Sequence, residues 1–214
     1  MTNTLVSIAF VLDCTASMGP WIHAAKTKIH EIVDTVSDQH PDADIEIGLV
    51  AYRDYGDEHP FRVVDFTSAD IIERTLKSLC AEGGDDEAED VAHALQRTTH
   101  LTWEDSELCL VFHIADAPAH GRLFHAASVS DRFPKGDPEG LDPRDFISHM
   151  SHRGFHYTFV KITSATDTML DVFHNVWTGP GEFRVLDLTP QMFGPAISQA
   201  INQSIMRHTS SQDM

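Results

Sequence analysis

The sequence predicts a doubly wound α/β fold, in which a mostly parallel six-stranded sheet with one antiparallel edge strand carries helices on both faces. Continuous apolar segments, typical of buried parallel strands, alternate along the chain with segments that repeat apolar residues every three or four positions, as amphipathic helices do. The link between the second and third strands, RDYGDEHP, is polar and short enough to indicate a hairpin. We therefore expect the third strand to be the antiparallel one.

The strands are recognised as short apolar runs bounded by polar or turn-forming residues. In chain order they are LVSIAFVL (5–12), IEIGLVAY (45–52), FRVVDF (61–66), LCLVFHIAD (108–116), FHYTFVKI (155–162) and FRVLDL (183–188). The helices are recognised by apolar side chains that recur on one face. In order they are 20–38, with Ile22, Ile29 and Val36; a short helix from Ser68, with Ile72 and Leu76; one from about Asp86, with Val91 and Leu95; 141–154; 166–177; and 190–207, with Phe193, Ile197 and Ile201.

One long segment, residues 117–140, shows no period and is rich in glycine and proline. A loop of that length inside a compact domain is more often functional than idle. The sequence has no internal repeat and no linker-like stretch. It therefore predicts a single domain over residues 1–207, followed by a flexible polar C-terminal tail at 208–214.

Charge and cysteine content narrow the class of function. The chain has 15 Lys and Arg against 33 Asp and Glu, a formal net charge of −18. Such a surface repels nucleic-acid backbones and anionic lipid, so we expect neither nucleic acid nor membrane as a partner. The three cysteines have no repeated spacing, which disfavours a disulfide framework or a zinc cluster and indicates a reducing, cytoplasmic setting. The short apolar run at the N-terminus is predicted to be neither a signal peptide nor a membrane span.

Two predicted strands, the first and the fourth, end in aspartate, at Asp13 and Asp116. In the common strand order 3-2-1-4-5-6, these two strands are neighbours at the point where the order reverses, and ligands of open α/β sheets bind beside that point. Two adjacent carboxylates repel each other unless a cation lies between them. The pair therefore predicts a cation site.

The residues around Asp13 suit a hard cation such as Mg²⁺, which prefers oxygen ligands. Thr15 and Ser17 follow at alternate positions and can face the same point, and EGGDDEAEDV at 82–91 can bring Asp86 or Glu89 to it. The alternative is that Asp13 or Ser17 simply caps the following helix. The acidic residues near position 86 have a similar alternative, a favourable first turn on the helix dipole.

The quoted segments resemble a known family. DCTAS at 13–17 is similar to the DxSxS signature of von Willebrand factor A (VWA) domains, the core of their metal-ion-dependent adhesion site (MIDAS), and the resemblance covers nearly the whole chain. More narrowly, LDCTASMGPWI, YRD, GGDDEAEDV, ADAPAHG and KGDPEGLDP together resemble the VWA domain attached to certain alpha-kinases.

The resemblance implies a ligand set. Asp13, Thr15 and Ser17 match the first motif, with Thr15 in the first hydroxyl place, and Asp116 matches the aspartate after the fourth strand. The family's usual threonine from the third loop is absent. Counting back from Leu95 puts Glu89 in its place, whereas matching the glycine pair favours Asp86; we prefer Glu89 and keep Asp86 as the second candidate.

The implied function is a Mg²⁺-dependent protein–protein interaction module, with Mn²⁺ or Ca²⁺ as alternative ions. A partner protein would supply a carboxylate or other oxygen to an open coordination position, and the loop 117–140 would border that surface. We expect His120, Met18 and Tyr55 at its rim. The resemblance has a second implication, a regulatory or targeting region of an alpha-kinase whose catalytic domain is not in these residues. A metal-dependent hydrolase, with His120 as the only evident base, is the third alternative.

Overall fold

The computed structural model describes residues 3–212, with side chains as far as residue 210. Its sheet has six strands in the order β3-β2-β1-β4-β5-β6, which confirms the predicted doubly wound, Rossmann-like class. The strands are β1 (Thr4–Asp13), β2 (Ala43–Tyr52), β3 (Phe61–Thr67), β4 (Leu108–Ala115), β5 (His156–Lys161) and β6 (Phe183–Asp187). The pairing of β2 with β3 is antiparallel and the other four pairings are parallel, so the predicted hairpin is also confirmed.

Helices cover both faces of the sheet. They are α1 (Gly19–Gln39), α2 (Ala69–Ser78), α3 (Val91–Thr99), α4 (Pro143–His152), α5 (Asp167–Val176) and α6 (Phe193–Gln212). Because side chains alternate along a strand, β1 contributes to two cores. Phe10 and Leu12 pack with α1, α2 and α6, whereas Ala9 and Val11 pack with α3, α4 and α5. The central strands are thus buried on both sides, and their carboxyl ends are held firmly.

Two helix boundaries differ from the predictions by about five residues. The helix predicted from about Asp86 begins at Val91, because the preceding residues run beside other loops: Glu89 N–H donates to the carbonyl of Pro118, and Ala88 N–H donates to that of Ser130. The last helix, predicted to end at residue 207, continues to Gln212. Part of the predicted tail is therefore helical, where the structure describes it.

The segment between β4 and α4 is irregular throughout, as predicted for residues 117–140. Asp131 holds it together: its carboxylate accepts hydrogen bonds from the backbone of Gly121 and Phe133 and from His120 and His125. The loop is therefore an ordered part of the surface beside the sheet. Within residues 3–212, each helix is too short or too polar to span a membrane.

Candidate functional site

The candidate site lies where β1 and β4 end, side by side, in the middle of the sheet. The two strands pair in parallel, with Leu12 opposite Ile114, so that Asp13 and Asp116 emerge from the same edge. A cavity of about 520 Å³ opens there. Its lining includes Thr15, Ser17, Gly84, Asp86, Glu89, Asp116 and Thr163. The strand order therefore brings together the segments from which the sequence predicted ligands.

Asp13 is fully buried, and only one of its two carboxylate oxygens accepts hydrogen bonds in the described structure. Its Oδ1 accepts hydrogen bonds from the Thr15 backbone N–H, at 2.9 Å, and from the Thr15 hydroxyl, at 2.7 Å. Its Oδ2 is buried and finds no hydrogen-bond partner among the described residues. Neither Asp13 nor Ser17 caps α1, whose N-cap is Met18 and shows no side-chain cap in the described structure. Helix capping therefore does not explain this carboxylate.

Glu89 reaches the site from the segment before α3. Its side chain is buried, and its Oε2 lacks a hydrogen-bond partner within residues 3–212. Asp86 lines the same cavity, but its Oδ2 accepts the Arg132 backbone N–H, which fastens it to the long loop. Asp86 Oδ1 is buried and, among the residues described, also unpartnered. Both carboxylates therefore stay candidates. The Asp86 side chain also hydrogen-bonds to the long loop, whereas Glu89 is joined to that loop through its backbone N–H.

Burial and mutual repulsion disfavour ionisation of these carboxylates. Burial raises the pKa of Asp13 to about 7, against two hydrogen bonds from Thr15 that lower it, and the charges of Asp116 and Asp54 raise it further. Burial raises the pKa of Glu89 to about 10, with Asp13 as the largest charge contribution. Such groups take up either protons or a cation to become neutral.

The donor set fits a hard divalent cation. It consists of carboxylate and hydroxyl oxygens. Three buried oxygens, Asp13 Oδ2, Glu89 Oε2 and Asp86 Oδ1 of the second candidate, lack protein partners in the described structure. Oxygen-only ligation suits Mg²⁺, Mn²⁺ or Ca²⁺ rather than softer ions.

Gly84 is the point where the acidic segment passes closest to the ligands. Its φ is +78°, and a Cβ there would lie 2.8 Å from Glu89 Oε1 and 3.3 Å from Thr15 Cβ. Gly140 has a similar φ of +83°, but a Cβ there would have no described atom within 4 Å. Substitution at Gly140 therefore measures the effect of backbone strain alone, whereas substitution at Gly84 adds the effect of steric crowding in the site.

We expect Gly140→Ala to destabilise the protein by about 1 kcal/mol through its backbone conformation alone. Gly84→Ala is expected to cost a further ~1 kcal/mol, because the added Cβ would displace the buried Glu89 carboxylate and press on Thr15. Urea unfolding in chelator measures both variants, and Mg²⁺ titration is expected to be impaired only for Gly84→Ala. Equal losses of stability and equal Mg²⁺ binding in the two variants would show that Gly84 is not packed against functional ligands.

The three residues predicted from sequence to lie at the rim of the partner surface are found elsewhere. Met18 is fully buried in the core beneath α1, and His120 is 3% exposed, so neither side chain reaches a partner. Tyr55 is half-buried, and its ring packs on Phe133 and His93 beside a different cavity. The structure instead places Thr163 and its neighbours Ser164 and Ala165 along the open side of the site.

His120 fastens loops together beneath the surface. Its Nε2 lies 2.7 Å from Asp54 Oδ1, and its Nδ1 lies 2.9 Å from Asp131 Oδ1. Burial lowers the pKa of His120, but the hydrogen bonds and charges of the two aspartates outweigh it, so the net shift is upward. Both nitrogens are therefore committed as donors, and His120 serves to hold the long loop against the β2–β3 loop.

Thr163 is a site residue that the sequence did not indicate. Its hydroxyl donates to the backbone carbonyl of Asp116, at 2.5 Å, and thereby joins the loops after β4 and β5. Asp57 was also missed: its Oδ2 accepts the backbone N–H groups of Asp54 and Gly84. Neither residue belongs to a recognisable local motif, and their roles depend on contacts between segments distant in sequence.

Comparison with known proteins gives a family and a fold. The family model described as von Willebrand factor A domain matches residues 7–129. An alpha-protein kinase of Dictyostelium discoideum, vwkA, is 33% identical over 172 residues, which cover 78% of this chain and 27% of the kinase. The chain thus spans about a quarter of the length of that relative.

Among solved structures, the pilus adhesin SpaC of Lactobacillus rhamnosus GG in its open conformation matches with a TM-score of 0.63 and 12% identity, over 97% of this chain and 30% of the adhesin. The VWA domain of SpRpn10 matches with a TM-score of 0.57 and 14% identity, over 94% of this chain and 95% of that domain. At these identities the likeness establishes the fold alone.

Proposed function

Because this chain belongs to the von Willebrand factor A domain family, whose members generally act as non-catalytic interaction modules, we propose that it is a metal-dependent protein–protein interaction module with a MIDAS-type site. The observation that carries the proposal is the pair of buried, unpartnered oxygens, Asp13 Oδ2 and Glu89 Oε2, beside an open cavity. Buried polar atoms without partners are rare, and a bound cation would give both of these a partner.

In this proposal Mg²⁺ is the ion, with Mn²⁺ and Ca²⁺ as alternatives. Thr15 and Ser17 would hold it through their hydroxyls, and Asp13 and Asp116 would hold it directly or through water. Glu89 completes the protein ligands, with Asp86 as the second candidate. The bound ion would supply a positive centre able to attract an oxygen ligand.

The partner is proposed to be a protein that offers a carboxylate or another oxygen. Ser17 and Thr163 are exposed, so the cavity is accessible to another molecule from that side. The acidic ligand set and the net charge of −18 favour a partner with neutral or basic surroundings around the coordinating group. A cytoplasmic setting is part of the proposal, supported by three cysteines of which none is paired in the described structure.

The experiment is calorimetric titration with Mg²⁺ and then Mn²⁺, after removal of metal by chelation, on the wild type and on Asp13→Asn. We expect one saturable site per chain in the wild type and none in the variant, because Asn replaces the unpartnered anionic oxygen with an uncharged group. Asp38→Asn, on the exposed face of α1, is the matched control and is expected to bind like the wild type. Wild-type binding that persists unchanged in Asp13→Asn would refute the assignment.

The alpha-kinase relative favours a second, compatible role, that of a regulatory or targeting region in a kinase-type protein. We expect the isolated chain to transfer no phosphate from Mg²⁺-ATP to a general protein substrate, and a radiolabelled phosphate-transfer assay measures this. Transfer that Asp13→Asn abolishes would overturn the non-catalytic assignment.

Hydrolysis is the weakest alternative. His120, the base that the sequence suggested, is buried with both nitrogens engaged by carboxylates. Burial raises the pKa of the Cys14 thiol to about 12, so this residue beside the site is not an activated nucleophile.

A further inference from the structure

A second cluster of charged side chains lies at the N-terminus of α3, and the candidate site does not use it. We call it the α3 cluster: Asp90 and His93 from the start of the helix, and Asp137 and Glu139 from the long loop. His93 Nδ1 lies 2.9 Å from Asp90 Oδ1 and 3.4 Å from Asp137 Oδ2. On the other side of the ring, His93 Nε2 lies 3.3 Å from Glu139 Oε2. One imidazole thus faces three carboxylates.

Asp137 is fixed in place but lacks a partner for one oxygen. Its Oδ1 accepts the backbone N–H groups of Glu139 and Leu141, at 2.9 and 3.0 Å. Its side chain is only 2% exposed, and its Oδ2 is buried without a hydrogen bond from any described residue. This oxygen points to the His93 nitrogen that Asp90 already occupies. The hydrogen bonds within the cluster therefore do not explain why Asp137 Oδ2 is buried without a partner.

The charge of the cluster also indicates that a cation binds there. Even a protonated His93 would neutralise only one of the three carboxylates, and Asp90 and Asp137 are both buried. Buried charges are normally paired or bound to metal. A divalent ion in place of the proton on Nδ1 would neutralise the remaining negative charge and would give Asp137 Oδ2 a partner.

We propose that the α3 cluster is a second metal site, specific for a transition-metal ion of the Zn²⁺ type, which His93 Nδ1, Asp90 Oδ1 and Asp137 Oδ2 ligate. One atom from each of these residues lies within 4.8 Å of the others. Ligand atoms around a tetrahedral Zn²⁺ are about 3.3 Å apart, given bonds of about 2.0–2.1 Å. The distances from His93 Nδ1 to Asp90 Oδ1 and to Asp137 Oδ2, 2.9 and 3.4 Å, are close to that value. An imidazole ligand favours Zn²⁺ over Mg²⁺ or Ca²⁺, unlike the oxygen-only set around Asp13.

Glu139 acts as the positioning residue of this site. A histidine that binds metal through one nitrogen usually donates the N–H of the other to a carboxylate or carbonyl, which fixes its tautomer. Glu139 Oε2 lies in position to accept from Nε2. An adjacent cavity of about 200 Å³ provides an entry path and room for a water ligand. Its lining includes Asp90, His93 and Glu139 of the cluster, together with Tyr55, Phe61 and Arg97.

The second site would fasten the long loop to α3. The same loop contacts the first site, because the Glu87 and Ala88 backbone N–H groups donate to the carbonyl of Ser130. Zn²⁺ in the α3 cluster would therefore hold the loop that borders the proposed partner surface. The two sites share no ligand, so either can fail without the other.

The test is Zn²⁺ titration against a chelating dye, performed in the Asp13→Asn background to remove the first site. We expect one Zn²⁺ per chain, with affinity reduced at least tenfold when His93→Gln or Asp137→Asn is added. His100→Gln, an exposed histidine at the end of the same helix, is the matched control and is expected to leave the affinity unchanged. Circular dichroism confirms that each variant is folded.

A second readout needs no substitution. Zn²⁺ added to the ¹⁵N-labelled wild type is expected to shift the Nδ1 resonance of His93 and to leave its Nε2 protonated. The proposal is overturned if Asp13→Asn binds no Zn²⁺, if His93→Gln behaves like His100→Gln, or if the His93 Nδ1 resonance does not move. In each of those cases the cluster joins the long loop to α3 through ion pairs alone and binds no metal.

Discussion

Replacing Asp13 with asparagine is expected to make the metal-free protein more stable and, at the same time, to abolish its response to Mg²⁺. The ionised Asp13 side chain is buried with one unpartnered oxygen and has other carboxylates nearby. Asparagine keeps the Oδ1 that accepts from Thr15 and removes the charge. With the pKa of Asp13 raised from 3.8 to about 7, the gain at pH 9 is on the order of 4 kcal/mol, since one pKa unit corresponds to about 1.4 kcal/mol.

Urea unfolding at pH 9, in chelator and in excess Mg²⁺, measures this effect. Mg²⁺ at a hundred times its dissociation constant is expected to stabilise the wild type by about 2.7 kcal/mol and to leave the variant unchanged. Asp38→Asn again serves as the control and is expected to follow the wild type in both conditions. If Asp13→Asn instead destabilises the metal-free protein, Asp13 is a structural residue and the cation interpretation loses its main support.

Cation affinity is expected to rise steeply with pH between 6 and 9. Without metal, Asp13 and Glu89 have pKa values raised to about 7 and about 10, so the folded protein holds protons that the unfolded chain releases. These groups contribute stability that is full below their unfolded pKa values and is lost as pH rises through the folded ones. The metal-free protein therefore weakens with rising pH, whereas a bound cation takes the place of the protons.

Calorimetry in two buffers of different ionisation enthalpy measures the protons released when Mg²⁺ binds. We expect release to be largest at the acidic end of this range, where Asp13 and Glu89 are both protonated, and to fall as pH rises through 7. Glu89→Gln is expected to reduce both the release and the pH dependence. Affinity that is constant from pH 6 to 9, or binding without proton release, would show that these carboxylates are not the ligands.

The sheet could be predicted because each of its strands is indicated by a short, continuous stretch of the sequence. Each strand is an apolar run, and the polar link RDYGDEHP marks the hairpin, so the strand number and the antiparallel edge strand followed from the sequence. The strand order was taken from the common doubly wound arrangement, and the structure has that order. The end of the first strand was informative for the same reason: Asp13 and Asp116 terminate neighbouring parallel strands, and topology alone places them together.

The surroundings of the site depend on contacts between distant segments, and there sequence reasoning failed. Met18 follows the DCTAS motif directly but packs into the core, because the short turn before α1 directs its side chain inward. His120 lies near Asp116 in sequence but is drawn inside by Asp54 and Asp131.

The start of α3 and the α3 cluster were missed for a related reason. The acidic run EGGDDEAEDV looks like a helix N-terminus, but hydrogen bonds to Pro118 and Ser130 keep its second half extended. Asp90, His93 and Asp137 come together only because the long loop returns to the helix. Their spacing in the sequence does not indicate this contact, since His93 and Asp137 are 44 positions apart.

The most direct measurement of the central claim is anomalous diffraction from a crystal grown with Mn²⁺, which occupies oxygen-ligand sites and scatters anomalously. We predict one strong anomalous peak in the cavity at the ends of β1 and β4, within bonding distance of Thr15 and Ser17 and beside Asp13, Glu89 and Asp116. A cavity without a peak at saturating Mn²⁺, with the Asp13 and Glu89 side chains placed as they are here, would contradict the claim that these oxygens form a cation site.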